Sequence, residues 1–101
     1  MGLKKLIISI EKRPQMYINN INIHTLSVFI SGYLFGKGDL SNMDEAFQRD
    51  FSTWVTNYYG ASIQNSWSDT IYYYEGNHNK SVECFFDLYK RWYESEESDR
   101  V

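Results

Sequence analysis

The residue types that do chemistry most readily are scarce in this chain: two histidines, His24 and His78, and one cysteine, Cys84. Neither histidine stands at a spacing from another donor that would hold a metal, so each reads as a lone surface imidazole. Cys84 precedes Phe85 in an apolar helical pattern, where a thiol behaves as a small buried hydrophobe. A Cys84–His78 nucleophile pair would need a third group to orient the imidazole, and the sequence offers none. Glu94, Glu96 and Glu97 read as a charge run and not as an acid and a base. Gly36-Lys37-Gly38-Asp39 lacks the glycine spacing and the Lys-Ser/Thr ending of a phosphate loop. The expectation is a protein that is not an enzyme and that takes neither a cofactor nor a metal.

What remains is the chemistry of docking. The net charge of −3 is unevenly spread. Residues 1–13 carry four bases against Glu11, or +3, whereas residues 39–101 carry twelve acids against five bases, or −7. A surface of that sign repels phosphate backbones, which speaks against direct nucleic-acid binding. It favours encounter with a basic protein. Nine Tyr, six Phe and three Trp make up 18% of the chain. Most of these rings should fill the core. The adjacent pair Tyr58-Tyr59 and the triplet Tyr72-Tyr73-Tyr74 cannot all turn inward, because neighbours on a helix point about 100° apart. One or two tyrosines should therefore reach the surface, where Tyr is enriched in protein interfaces.

The elements that would position these groups are helical. Leu3, Leu6, Ile7 and Ile10 repeat at i, i+3, i+4, i+7, and Pro14 predicts a stop near Lys12. Met16-Tyr17-Ile18 reads as an apolar plug. Asn22 is a suitable N-cap for a second helix carrying Ile23, Leu26, Phe29, Ile30, Tyr33 and Leu34. Gly32 within it costs about 1 kcal/mol against Ala, which predicts close approach by another helix or by the plug. Ser41 followed by Asp44 resembles a capping box. Phe47, Phe51, Trp54, Val55 and Tyr58 then form the clearest stripe, closed by Gly60. As a core aromatic, Trp54 replaced by Ala is expected to cost about 3–5 kcal/mol. Trp67, Ile71 and Tyr74 keep helical spacing in a segment that is also rich in strand formers. A final helix from Lys80 or Ser81 would bury Val82, Phe85, Phe86, Tyr89, Trp92 and Tyr93.

The prediction is an all-α fold, a compact bundle of four to five short helices in one domain over residues 1–101, with 95–101 a frayed acidic tail. No apolar run approaches the roughly 20 residues that cross a bilayer. A single cysteine suits a reducing cytoplasm.

The string Glu11-Lys12-Arg13-Pro14-Gln15-Met16-Tyr17-Ile18 resembles the N-terminal segment of type II topoisomerase ATPase subunits, but Gln15 and Asn19 stand where that family has glycines and its ATP motifs do not follow. A broader resemblance covers most of the chain. Arg-Pro-x-Met-Tyr-Ile leads to Leu26-x-x-Phe29-x-x-Gly32-Tyr33-Leu34, an aromatic-rich helix, Ser66-Trp67, and Phe85-Phe86-x-Leu88 before an acidic segment. In this order the motifs resemble the small immunity proteins of bacterial contact-dependent growth inhibition and other polymorphic toxin systems. The resemblance implies a cytoplasmic antitoxin that binds and neutralises one cognate toxin, often a nuclease such as an RNase. No catalytic residue comes with it.

An acidic, aromatic surface could occlude the basic substrate cleft of such a toxin, carboxylates standing in for phosphates. The residues expected on that face are Asp69, Tyr72, Tyr73 and Glu75, with Asp44 and Glu45 beyond the third helix's stripe. The expected partner is the toxin's C-terminal domain, bound by a monomer of this chain, with no membrane involved. The alternative is a small helical homo-oligomeric or adaptor domain that pairs through its tyrosines.

Overall fold

The computed structural model describes residues 2–99. It contains five helices, α1 (Leu3–Lys12), α2 (Ile23–Lys37), α3 (Asn42–Tyr59), α4 (Trp67–Glu75) and α5 (His78–Asp99), with a short 3-10 turn at Pro14–Met16. Among the described residues there is no strand. No helix there is long and apolar enough to cross a membrane. The fold is a small all-α bundle, as the periodicity predicts.

Local signals set the helix boundaries. α1 buries Leu3, Leu6, Ile7 and Ile10 and ends ahead of Pro14. Asn22 Oδ1 accepts from the N–H groups of His24 and Thr25, both at 2.9 Å, and Thr25 Oγ1 accepts from Asn22 N–H, completing a reciprocal cap on α2. Ser41 and Ser66 cap α3 and α4 through the N–H groups of Asp44 and Asp69. Asn77 Oδ1 accepts from Lys80 N–H at 2.8 Å, which starts α5 two residues ahead of the predicted Lys80. Gly60 and Gly76 close α3 and α4 in left-handed conformations that carry little steric penalty without a Cβ.

Phe51 is the centre of the core. It stacks on Phe47 at 4.7 Å and meets the rings of Trp67, Phe85 and Trp92 at 5.7–5.9 Å. Trp67 in turn stacks on Phe85 at 4.6 Å, tying α4 to α5.

Several expectations fail where the third dimension decides. Trp54 is only half-buried, stacked between Phe51 and Tyr58 at the rim of the core. Of the expected plug only Ile18 is buried; Met16 and Tyr17 are exposed. A Cβ on Gly32 would meet nothing within 4 Å, so none of the described residues makes the close approach expected there. The expectation of a frayed tail is a separate matter: the acidic segment beyond Glu94 forms the largely exposed end of α5 as far as Asp99, and Arg100 and Val101 lie outside the described residues.

The capping box expected at Ser41 is only half made. Ser41 Oγ accepts from Asp44 N–H, but the Asp44 carboxylate turns inward. Its Oδ2 accepts from Leu3 N–H at 3.3 Å and from Lys37 Nζ at 3.2 Å. It is buried there, and a carboxylate in that position is tolerated only with its partners in place.

Urea unfolding should separate these roles. Phe51→Ala is expected to lose about 3–5 kcal/mol, Trp54→Ala no more than about 2, and Asp44→Ala about 2, because the last strands the Leu3 N–H and the Lys37 ammonium.

Candidate protein-docking face

α4 is a short helix with an inner and an outer side. Trp67, Ser68, Thr70 and Ile71 are buried, and Trp67 N–H donates to Ser52 Oγ at 3.0 Å, seating the start of α4 against the middle of α3. Helical geometry then turns Asp69, Tyr72 and Tyr73 outward.

Asp69 is 63% exposed, with its carboxylate 3.6 Å from His24 Nδ1. Tyr73 is 78% exposed. Tyr72 is exposed at its edge, but its ring stacks on His78 at 4.6 Å and lies 5.5 Å from His24. The two histidines, expected to be isolated, are 5.6 Å apart, because the start of α2 and the start of α5 converge on Tyr72. His78 Nδ1 is buried with no hydrogen-bond partner among the described residues. No group of three or more His, Cys, Asp or Glu there could hold a metal ion.

The other expected site residues are placed differently. Glu75 is half-buried and used within the fold: the Tyr59 hydroxyl donates to its Oε2 at 2.7 Å. Cys84 Sγ lies 3.1 Å from that hydroxyl and 3.6 Å from Glu75 Oε2. Asp44 is buried in its contacts with Leu3 and Lys37 and is no part of an outer surface. Glu45 is exposed in the first turn of α3. It stands seven residues before Ser52, about 10 Å along the helix from where α4 is seated, so it does not join Asp69 and Tyr73.

Two residues not singled out for this face, Tyr74 and Ile63, belong to it. Tyr74 stacks on Tyr59 at 4.7 Å with the rings nearly parallel, and Tyr59 meets Tyr58 edge-on at 5.0 Å. Ile63, in the loop after α3, is 71% exposed. Ile63, Thr70, Tyr73 and Tyr74 line a half-open cleft of about 250 Å³ with the backbone around Ala61 and Ser62. Ile63 is an apolar residue in a polar loop, and that isolation is the signal the sequence offered.

The Tyr59–Glu75–Cys84 triangle supports Tyr74 from beneath. Burial, followed by the contacts with Cys84 and Glu75, pushes the Tyr59 phenol well above its ordinary range. Burial also pushes the Cys84 thiol up, only partly offset by its hydrogen bond with Tyr59, and the Glu75 charge adds to the rise. Tyr89 is raised by burial and then by the Asp44 charge. A thiol held protonated is a poor nucleophile.

No protein-family model, no curated protein and no solved structure matches this chain.

All three raised groups are neutral acids that the fold holds protonated. The native state therefore binds more protons than the unfolded chain once the pH passes the ordinary thiol value of 9.0 and phenol value of 10.0. Stability is expected to hold below that window and to fall as the pH rises through it. Tyr59→Phe, which removes one ionisable group, should make the fall shallower in urea titrations at rising pH.

Proposed function

We propose that this chain is an immunity-type inhibitor that neutralises a basic toxin domain by docking, with the outer side of α4 as its contact face. The observation that carries this reading is the exposed cluster of Tyr73, Tyr74 and Ile63 around an open cleft, with the Asp69 carboxylate on the same helix. Large apolar surface of this kind is costly to leave in water and is characteristic of a contact surface. Tyrosine supplies contact area with few rotatable bonds, and its ring face attracts a Lys or Arg side chain.

A toxin whose substrate is a polyanion carries cationic side chains in its cleft. One of them could enter the space between Ile63 and the Tyr73–Tyr74 pair, with Asp69 meeting a second at the edge. The net charge of −7 over residues 39–101 would speed the encounter. The chain itself would perform no reaction, and inhibition in the cytoplasm would come from occlusion of the substrate cleft.

The test is calorimetry, with stopped-flow kinetics for the association rate, against any basic toxin domain that a neighbouring gene encodes. Tyr73→Ala is expected to weaken binding by about 2 kcal/mol or more, and Asp69→Lys to slow association and reduce its salt dependence. Glu45→Lys, away from the face, should leave affinity nearly unchanged. Equal binding by wild type and the Tyr73 variant would remove α4 from the interface, and no binding by wild type would remove the reading.

A further inference from the structure

α2 is the one described helix without an acidic residue, and its only permanently ionised side chain, Lys37, is tied to Asp44. Leu26, Ile30 and Leu34 turn into the core. The opposite face carries Val28, Ser31, Gly32 and Phe35, all exposed, with Val28 at 73% and Phe35 at 90%. A helix that is apolar around its whole circumference is ordinarily covered on every side. Gly32 and Gly36 lie one turn apart on this outer face, and a Cβ on either would meet nothing within 4 Å. None of the described residues uses the room they leave. Beside them a groove of about 460 Å³ runs between Tyr17, Ile18, Val28 and Phe29. A cavity of roughly 150 Å³ already accepts a benzene ring.

We infer that this face pairs with the same face of a second copy, α2 antiparallel to α2 about a two-fold axis between Ser31 and Gly32. Charge limits where a second copy can sit. Two copies of a chain with net charge −3 repel across their acidic surfaces, whereas the outer side of α2 carries no carboxylate of its own, and the two that flank it, Asp39 and Asp69, both lie where a His24 imidazole can meet them. The antiparallel register is self-complementary, as a two-fold contact must be. Phe35 of each copy lies against Val28 of the other, at the mouth of the groove. Ser31 faces Gly32, where the missing side chain lets the backbones approach. Asp39, exposed just beyond α2, comes level with His24 of the other copy. The helix macrodipoles oppose each other favourably.

Size is consistent. His24 to Gly36 spans about 18 Å of helix. Val28, Phe35 and Tyr17 together expose on the order of 400 Å², and their neighbours bring the face toward the roughly 800 Å² that each partner buries in a standard interface. Tyr73, Tyr74 and Ile63 are not among the residues of the contact, whereas Asp69, beside His24, lies at its edge. The pairing revises the expectation of a monomer in the toxin complex to a 2:2 assembly, and it stands independently of what α4 binds.

Sedimentation equilibrium of the full chain, from about 1 to 200 µM, tests it without any partner. Wild type is expected to show a monomer–dimer equilibrium within that range. Phe35→Asp and Gly32→Leu should each raise the dimer dissociation constant by more than about tenfold. Both positions face open space in the single chain, so helix content by circular dichroism should be kept, and either variant suffices if the other folds poorly. Tyr73→Ala should leave sedimentation unchanged. A wild type that stays monomeric throughout, or a Phe35→Asp variant that dimerises undiminished, overturns the proposal. So does a monomeric wild type whose toxin binding is lost in Phe35→Asp, which would assign the face to the toxin.

Discussion

Asp44 joins three helices at one point. α1 begins at Leu3 after Gly2, which offers no side-chain cap, so the first N–H groups of that helix need an acceptor from elsewhere. The acceptor is a carboxylate 41 positions along the chain, which also receives Lys37 from the last turn of α2. The backbone N–H of Asp44 meanwhile donates to Ser41 Oγ, the cap of its own helix. A helix start and an ammonium near a helix end both complement negative charge, so the geometry offsets the desolvation of a buried carboxylate. The rest of the bundle follows from this anchor. With its start fixed, α1 lays Leu3, Leu6, Ile7 and Ile10 along the core, and with its end fixed, α2 turns Leu26, Ile30 and Leu34 inward and Phe35 outward.

The parts of the fold legible in the sequence are those that depend on neighbours along the chain. The apolar spacing of α1, the Pro14 stop, the Asn22 cap and the Gly60 closure each act within one or two turns. Register between helices was not legible. Glu75 looked like a surface acid because nothing near it in sequence showed that Tyr59 would donate to it from the end of α3. His24 and His78 looked isolated because their contact through Tyr72 joins the starts of two helices far apart in the chain. Trp54 looked central because a stripe gives the buried side of a helix and not its edge, and the edge is where Trp54 sits. On α2, apolar on all sides, periodicity could not say which side would face water.

The candidate face was therefore half visible. Tyr73 and Asp69 lie outward because α4 spends its other side on Trp67 and Ile71. Tyr72 is shared between surface and fold, its ring occupied by the two histidines. Tyr74 and Ile63 complete a cleft that needs the loop after α3 folded back over α4, a long-range arrangement that no local motif encodes. Beneath it, Tyr59, Glu75 and Cys84 form a closed polar group that makes the tyrosine pair rigid, and rigidity lowers the entropy lost on contact.

α5 supplies Phe85, Phe86, Leu88, Tyr89 and Trp92 to the core and packs against α2, α3 and α4. It is also the last of these elements to leave the ribosome. At about 5–20 residues per second, its 22 residues take on the order of one to four seconds to make. Until that helix has cleared the ribosome, Phe47, Phe51 and Trp67 lack the rings of Trp92 and Phe85 that they close against, so the aromatic interior of the bundle forms only after α5 is out.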